Sequence, residues 1–232
     1  MDGMDDTSSS PPGRVALRAV IFDMDGLMLD TERVSLQAWT LASEELGARM
    51  PESLAYGIIG MNRAGSHAFL RQHLGEDFPL AELAERTHAH YLRILDTEGI
   101  RLKAGLDGLL AWLGEAGIPC AVATSTRHHL AIDKLDRAGI VGHFTHIVGG
   151  DQVAHGKPAP DIYLEAARRL DVPAGQCIAL EDSINGVRSA HAAGVPVILV
   201  PDLVQPPPEV VALACAALPS LAQARAVIES RL

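Results

Sequence analysis

Lysine is almost missing from this chain: Lys103, Lys134 and Lys157 are the only three in 232 residues. Lys and Arg together number 19 against 29 Asp and Glu, so the net charge is −10. That balance excludes a broad basic face for nucleic acid, because affinity for a phosphate backbone rests on neutralising cations. A few cations and a metal converging locally can still hold an anionic metabolite. Cysteine is equally scarce. Cys120, Cys177 and Cys215 lie far apart with no Cys-x-x-Cys spacing, which argues against a disulfide framework and a structural zinc site. All three are expected to be buried small hydrophobes in a reducing compartment. No uninterrupted apolar run approaches the length that spans a bilayer. The stretch Met1 to Gly13 is acidic and Ser/Pro-rich and lacks the basic start and apolar centre of a signal peptide. The expectation is a cytoplasmic protein with a flexible leader over residues 1–14, acting without a membrane and without nucleic acid.

What the chain does have is apolar residues, at 48%, enough for a sizeable core. Ala19-Val20-Ile21-Phe22 reads as a buried strand ending in the turn Asp23-Met24-Asp25-Gly26. From Asp30 to Gly99 only helical spacing follows. Val34, Ala38, Leu41 and Ala42 mark a helix stopped by Gly47. Ser66 is expected to cap a second, and Leu80 to Leu95 form a third stopped by Gly99. Beyond Leu109 strands and helices alternate, with strands at 118–123, 146–148, 177–180 and 195–200 and an edge strand near Cys215. A last helix is capped by Ser220, and Pro206-Pro207-Pro208 reads as a loop. Uniformly apolar strands alternating with helices imply an α/β fold, a Rossmann-like parallel sheet covered on both faces. The expected division is a catalytic core over 15–30 and 100–232, interrupted by an all-helical cap over 31–99. That insertion sits near the carboxyl edge of the sheet, where open α/β sheets bind ligands.

Four short motifs fall at strand ends. Asp23 and Asp25 are two apart and share a side if the extended chain continues. Two adjacent buried carboxylates need a cation, a proton or a lysine to offset their repulsion. Ala123-Thr124-Ser125-Thr126 offers hydroxyls and free N–H groups for phosphoryl oxygens, although Ser/Thr after a strand is also an ordinary helix cap. Lys157, in Gly156-Lys157-Pro158, places an ammonium on a bounded loop before a helix, where it can neutralise a nucleophile and a transferring group. Glu181 and Asp182 end another strand. With Asp23 and Asp25 they make a set of hard oxygen donors of the kind Mg²⁺ prefers.

The set Asp23-Met24-Asp25-Gly26, Thr124-Ser125, Lys157-Pro158 and Glu181-Asp182 resembles the haloacid dehalogenase-like superfamily. It is most similar to the phosphatase and β-phosphoglucomutase branch with a helical cap after the first strand. The match runs from about Ala16 to Pro201. The resemblance implies that Asp23 attacks phosphorus and becomes an aspartyl phosphate, while Asp25 protonates the leaving oxygen and later activates water. It implies a Mg²⁺ site from Asp23, the Asp25 backbone carbonyl, Asp182 and Glu181, the last directly or through water. Thr124, Ser125 and Lys157 would bind the phosphoryl oxygens. The implied activity is hydrolysis of a small phosphorylated metabolite: a sugar, polyol or nucleoside monophosphate.

Rival readings differ at single residues. Dehalogenases carry Tyr where this chain has Asp25. Phosphonatases need a cap lysine, and Thr31 to Gly99 contains none. The β-phosphoglucomutases share the loop Gly60-Met61-Asn62-Arg63, where an arginine meets the non-transferring phosphate. They carry a histidine at the place of Ser35, however, and a cap lysine. Arg63 and Asn62 are therefore cap candidates for substrate contact. Glu32 is either a hydrogen-bond acceptor for a substrate hydroxyl or a first-turn acid on a helix dipole. A phosphoaspartate signalling receiver shares the acidic pocket and a lysine but has neither the helical insert nor the acid at Asp25. An inactive binding scaffold would not keep every core motif residue.

Overall fold

A computed structural model of the protein describes residues 16–48, 51–58 and 63–232. Strand β1 (Ala19–Phe22) is followed by four helices, α1 (Thr31–Glu45), α2 (Glu52–Ile58), α3 (Arg63–Leu74) and α4 (Leu80–Glu98). The chain then runs α5 (Leu106–Glu115), β2 (Cys120–Ala123), α6 (His128–Arg137), β3 (His146–Val148), α7 (Asp161–Leu170), β4 (Cys177–Glu181), α8 (Ile184–Ala192) and β5 (Val197–Leu199). It ends with α9 (Pro208–Val211), β6 (Ala216–Ala217) and α10 (Ala224–Glu229). All strand pairs are parallel, in the order β3-β2-β1-β4-β5-β6. Among the described residues, no helix is long and apolar enough to cross a membrane.

The strand alternation splits the core into two layers. Val20 and Phe22 of β1 face one cluster with Leu106, Leu110, Leu113 and Ile228. Ala19 and Ile21 face the other, with Ile162, Tyr163, Ala166 and Val187. Each fully buried Leu, Ile or Phe contributes about 1.5–3 kcal/mol relative to exposure, so both faces of β1 anchor it. The chain leaves β1 toward β2 on one side and returns to β4 on the other. A crevice therefore opens at the carboxyl end of β1, the topological switch point of the sheet.

The four helices after β1 keep their own small core of Ala42, Leu70, Leu80 and Leu83, flanked by Trp39 and Phe78. Helix α1 packs mainly along α4. The two connections to this segment pair with each other. Leu29 bridges Leu102, the Asp30 N–H donates to the Arg101 carbonyl at 2.9 Å, and the Lys103 N–H donates to the Met28 carbonyl at 2.9 Å. Lys103 Nζ donates to Asp202 Oδ1 at 2.5 Å and lies 3.6 Å from Asp30.

Several local expectations need correction. Arg63 opens α3 instead of lying on a loop, and Ser66 is inside that helix, not its cap; Asn62 lies outside the described residues. Helix α2, at seven residues, is too short to show a helical period in the sequence. Pro208 begins α9, because a proline without an N–H is suited to a first helical turn. Ser220 makes no side-chain cap bond. Cys120 and Cys177 are buried, but Cys215 is exposed beside the two-residue edge strand.

Gly105, at the start of α5, has φ +88°, and a Cβ there would overlap the backbone of Ala222. Left-handed backbone costs a non-glycine residue about 1–2 kcal/mol, and forced overpacking about 1–3 kcal/mol. Gly105→Ala is expected to lower Tm by about 5–15 °C for a chain of this size. Calorimetry showing no change would mean that the turn at Ala222, just before α10, does not press on this glycine.

Candidate active site

The carboxyl edge of the sheet opens into a cavity of about 740 Å³, lined by Asp23, Asp25, Thr124, Ser125, Lys157 and Asp182 on one side. Glu32, Ser35 and Trp39 of α1 and Thr87, His88 and Tyr91 of α4 line the other. The four motifs, scattered over 160 residues of sequence, thus meet at one place.

Asp23 directly follows β1, and its N–H donates to the Leu180 carbonyl at 3.0 Å. That bond carries the parallel ladder one residue past the strand and fixes the backbone beneath the carboxylate. Lys157 Nζ donates to Asp23 Oδ1 at 2.5 Å and to Glu181 Oε1 at 2.6 Å. The Lys157 side chain is only 5% exposed. Burial opposes its charge, but Asp23 and Glu181 outweigh burial and hold the ammonium above its ordinary range.

Glu181 is fully buried at the end of β4. Its Oε1 accepts from Lys157 and, at 2.5 Å, from the Tyr163 hydroxyl. Its Oε2 accepts from the Ser183 N–H at 3.3 Å and the Ser183 hydroxyl at 3.1 Å. The same Ser183 Oγ caps α8 by accepting from the Gly186 N–H at 3.0 Å. Gly186 has to be glycine, since any Cβ there would overlap the Glu181 carboxylate. Gly26, at φ +91°, leaves similar room for Asp182.

Burial pushes the Asp23 carboxyl up to about 8, with Glu181 and Asp25 adding to the rise against the Lys157 ammonium. Burial likewise lifts Asp182 well above its ordinary value, helped by Asp23 and Glu181. Asp23, Glu181 and Asp182 each offer an oxygen within 4.8 Å of the others. Asp182 Oδ1 is buried with no hydrogen-bond partner. An orphaned acceptor among three hard donors, two buried and one half-buried, fits a divalent cation of the Mg²⁺ or Ca²⁺ type and not a soft metal.

Asp25 belongs to a different circuit. Thr31 Oγ1 and Lys134 Nζ each donate to its Oδ1 at 2.7 Å, and Thr126 Oγ1 donates to its Oδ2 at 2.7 Å. Burial pushes Asp25 up, but Lys134, with Thr126 and Thr31, outweighs it and holds the carboxyl below its ordinary value. Thr124 is buried, and its hydroxyl accepts from the Thr126 N–H at 3.1 Å, turning the loop after β2. Glu32 lines the cavity. Burial, then Asp25 and Asp202, raise it to about 7 against Lys134 and Lys103. The Arg63 side chain is outside what the structure describes. His155 stays exposed and bonds Asp161, not Lys157.

Lys134 and Tyr163 had no motif to mark them. Both sit inside helices, and only the scarcity of lysine pointed to the first.

The haloacid dehalogenase-like hydrolase family matches residues 17–194. The chain is 34% identical over 179 residues to the phosphorylated carbohydrates phosphatase of Thermotoga maritima, covering 77% of this chain and 82% of that one. It is 33% identical over 181 residues to the fructose-1-phosphate phosphatase YqaB of Escherichia coli, covering 76% and 92%. A mutant CbbY from Rhodobacter sphaeroides, solved with xylulose-1,5-bisphosphate, superposes with TM-score 0.74 at 30% identity, over 89% of this chain and 96% of that one. With the acids, the lysine and the switch-point crevice all in place, the chain belongs to the haloacid dehalogenase-like hydrolases.

Proposed function

We propose that this protein is a Mg²⁺-dependent phosphoric monoester hydrolase acting on a sugar, polyol or nucleoside monophosphate through a phosphorylated Asp23. The observation that carries this reading is Lys157 shared between Asp23 and Glu181 beside the unpartnered Asp182. Relatives named as carbohydrate phosphatases support it. We read residues 31–99 as a cap over the core formed by 15–30 and 100–232.

Asp23 attacks phosphorus through a carboxylate oxygen. The Asp23 O–P bond forms as the ester P–O bond breaks, and the departing alkoxide takes a proton from Asp25, which has to take up that proton against the Lys134 charge when the anionic substrate arrives. Water then attacks the aspartyl phosphate and gives its proton to Asp25, and Asp23 leaves as a carboxylate with release of inorganic phosphate. Thr124, the Ser125 N–H and Lys157 hold the phosphoryl oxygens. Asp23, Asp182 and the Asp25 carbonyl would hold the cation, with Glu181 as the third carboxylate within reach. A bound Mg²⁺ supplies Lewis-acid polarisation of the phosphoryl group and neutralises the acid cluster. Glu32 accepts from a hydroxyl of the substrate's alcohol portion.

Asp23→Asn is expected to abolish turnover of an aryl phosphate with Mg²⁺ present, because an amide is a poor nucleophile and a weak ligand. Substantial turnover by the pure variant rules out the covalent route. Excess chelator should silence the wild-type protein, and Ca²⁺, which accepts looser geometry with 6–8 ligands, should not restore it.

The raised carboxyls set a pH window. An unfolded Asp titrates near ~3.9, whereas folded Asp23 titrates at about 8. Its contribution to stability without metal is full below the unfolded value and is lost as pH rises through about 8. Glu32 acts in the same sense up to about 7. Asp25, held low, works in the opposite sense: its contribution is full above the unfolded value of ~3.9 and is lost as pH falls below it. Cation binding displaces the Asp23 proton, so Mg²⁺ affinity should tighten up to roughly tenfold per pH unit below 8. The rise in Tm on adding Mg²⁺ should therefore be larger at about pH 8 than at about pH 6. An increment independent of pH would exclude Asp23 as a ligand.

Hydrolysis rather than transfer follows from Ser35 and the lysine-free helical segment, which lack the means to hold the phosphoenzyme for a sugar acceptor. β-Glucose 1-phosphate, primed with glucose 1,6-bisphosphate, is expected to yield inorganic phosphate. Efficient formation of glucose 6-phosphate would overturn the phosphatase reading.

A further inference from the structure

Lys134 is the second buried lysine of the cavity, and it does not touch the nucleophile. It lies in the body of α6, between the buried Ala131 and Leu135, and its side chain is 16% exposed. Its ammonium donates to Asp25 Oδ1 at 2.7 Å and stands 5.3 Å from the ring centroid of Tyr91 on α4. A carboxylate has roughly four acceptor positions, two on each oxygen. Thr31 and Lys134 take both on Oδ1, and Thr126 takes one on Oδ2. One position remains, on Oδ2. The three donors come from three separate elements, so no single local rearrangement frees the carboxylate to rotate. Of the three, Lys134 is the charged one, and it also reaches the helical segment through the Tyr91 ring, an attraction that strengthens when desolvated.

We propose that Lys134 is a positioning residue for the acid–base step, occupying Asp25 Oδ1 so that Oδ2 is presented to the ester oxygen. This rests on the phosphatase reading above. It assigns Lys134 a part different from that of Lys157: the one orients the acid–base, the other holds the nucleophile and phosphoryl group. The Tyr91 contact makes the orientation depend on the helical segment being seated on the core, because Tyr91 arrives from α4 and Lys134 from α6.

The inference separates substrates by leaving group. An alkoxide needs the proton from Asp25 to depart; a nitrophenolate does not. A misplaced acid therefore slows cleavage of an alkyl phosphate and spares an aryl phosphate. The experiment is single-turnover alcohol release, with enzyme in excess and Mg²⁺ present, from β-glycerophosphate and from p-nitrophenyl phosphate. Wild type, Lys134→Met and Lys134→Arg are compared. Release of nitrophenol by wild type and its loss in Asp23→Asn test the phosphatase reading separately. Lys134→Met is expected to lower the rate constant for β-glycerophosphate by about 10- to 100-fold, to change that for p-nitrophenyl phosphate by less than about threefold, and to leave the half-saturating enzyme concentration nearly unchanged. Lys134→Arg, which keeps the charge but replaces the compact ammonium with a planar fork, is expected to show the same selectivity with a smaller loss. It carries the test if the methionine variant does not fold. Equal losses on both substrates, or no loss on either, overturn the positioning role and leave the phosphatase reading standing. A wild-type protein that releases alcohol from neither substrate overturns both.

Discussion

The Lys157 ammonium, 2.5 Å from Asp23 and 2.6 Å from Glu181, is the contact around which the rest of the site is arranged. Three carboxylates, those of Asp23, Glu181 and Asp182, stand close together and mostly out of water. One positive charge cannot balance three negative ones, and unpaired charge is costly to bury. The surroundings make up part of the difference. Tyr163 and Ser183 saturate Glu181, and Gly186 and Gly26 withdraw their side chains to admit the carboxylates. Raised affinity of Asp23 and Asp182 for protons expresses the remainder. A divalent cation would replace those protons and leave the cluster near neutrality, which is why the acids and the lysine have to be read together.

The sheet delivers these groups for a topological reason. Strand β1 has β2 on one side and β4 on the other, so the loops after all three strands converge at one edge. Asp23 and Asp25 come from the first, Thr124 to Thr126 from the second, and Glu181 to Ser183 from the third. Lys157 arrives from the loop before α7, and Tyr163 of the same helix reaches up from the buried layer beneath the sheet. The same element that packs the core therefore holds Glu181, and a change in how α7 packs would be felt at Glu181 and, through Lys157, at Asp23.

Much of this was legible before any coordinates. Apolar β1 ending in two acids, and the later strands ending in Thr124 and Glu181, fixed the order of elements and the place of the crevice. The parallel sheet with two apolar layers followed from unalternating strands, and the helical insert from the absence of strands between Asp30 and Gly99. Lys134 and Tyr163 were not legible, because a helical period says which residues share a face but not which neighbour that face meets. One compositional signal was available. The chain uses sixteen arginines and only three lysines. Each of the three ends on a carboxylate that is itself mostly buried: Lys103 on Asp202, Lys134 on Asp25 and Lys157 on Asp23. Arginine serves the exposed helix pairs, as in Arg86 with Glu82 and Arg225 with Glu229. The errors at Ser66 and Pro208 were of another kind, since a serine or proline signals a helix start only when the flanking turn agrees.

Asp23 and Asp25 are two residues apart and chemically identical, yet the fold assigns them to separate electrostatic environments. Asp23 faces Lys157 together with two further carboxylates, and burial prevails. Asp25 faces Lys134 and two hydroxyls with no second acid in its hydrogen-bond set, and the donors prevail. Their proton affinities are driven in opposite directions from a common starting value. Environment alone thus gives two like groups in one short segment different proton affinities, and a cation replacing the Asp23 proton is what would leave that group a carboxylate. Lysine suits both places better than arginine. Its compact ammonium sits between two carboxylates at Lys157, and between one carboxylate and the Tyr91 ring at Lys134, where a planar guanidinium fork would demand a fixed bidentate geometry. The difference between the two aspartates therefore lies less in the Asp-x-Asp motif than in the surroundings of each, with one lysine from α6 and one from the loop before α7 brought to it by the fold.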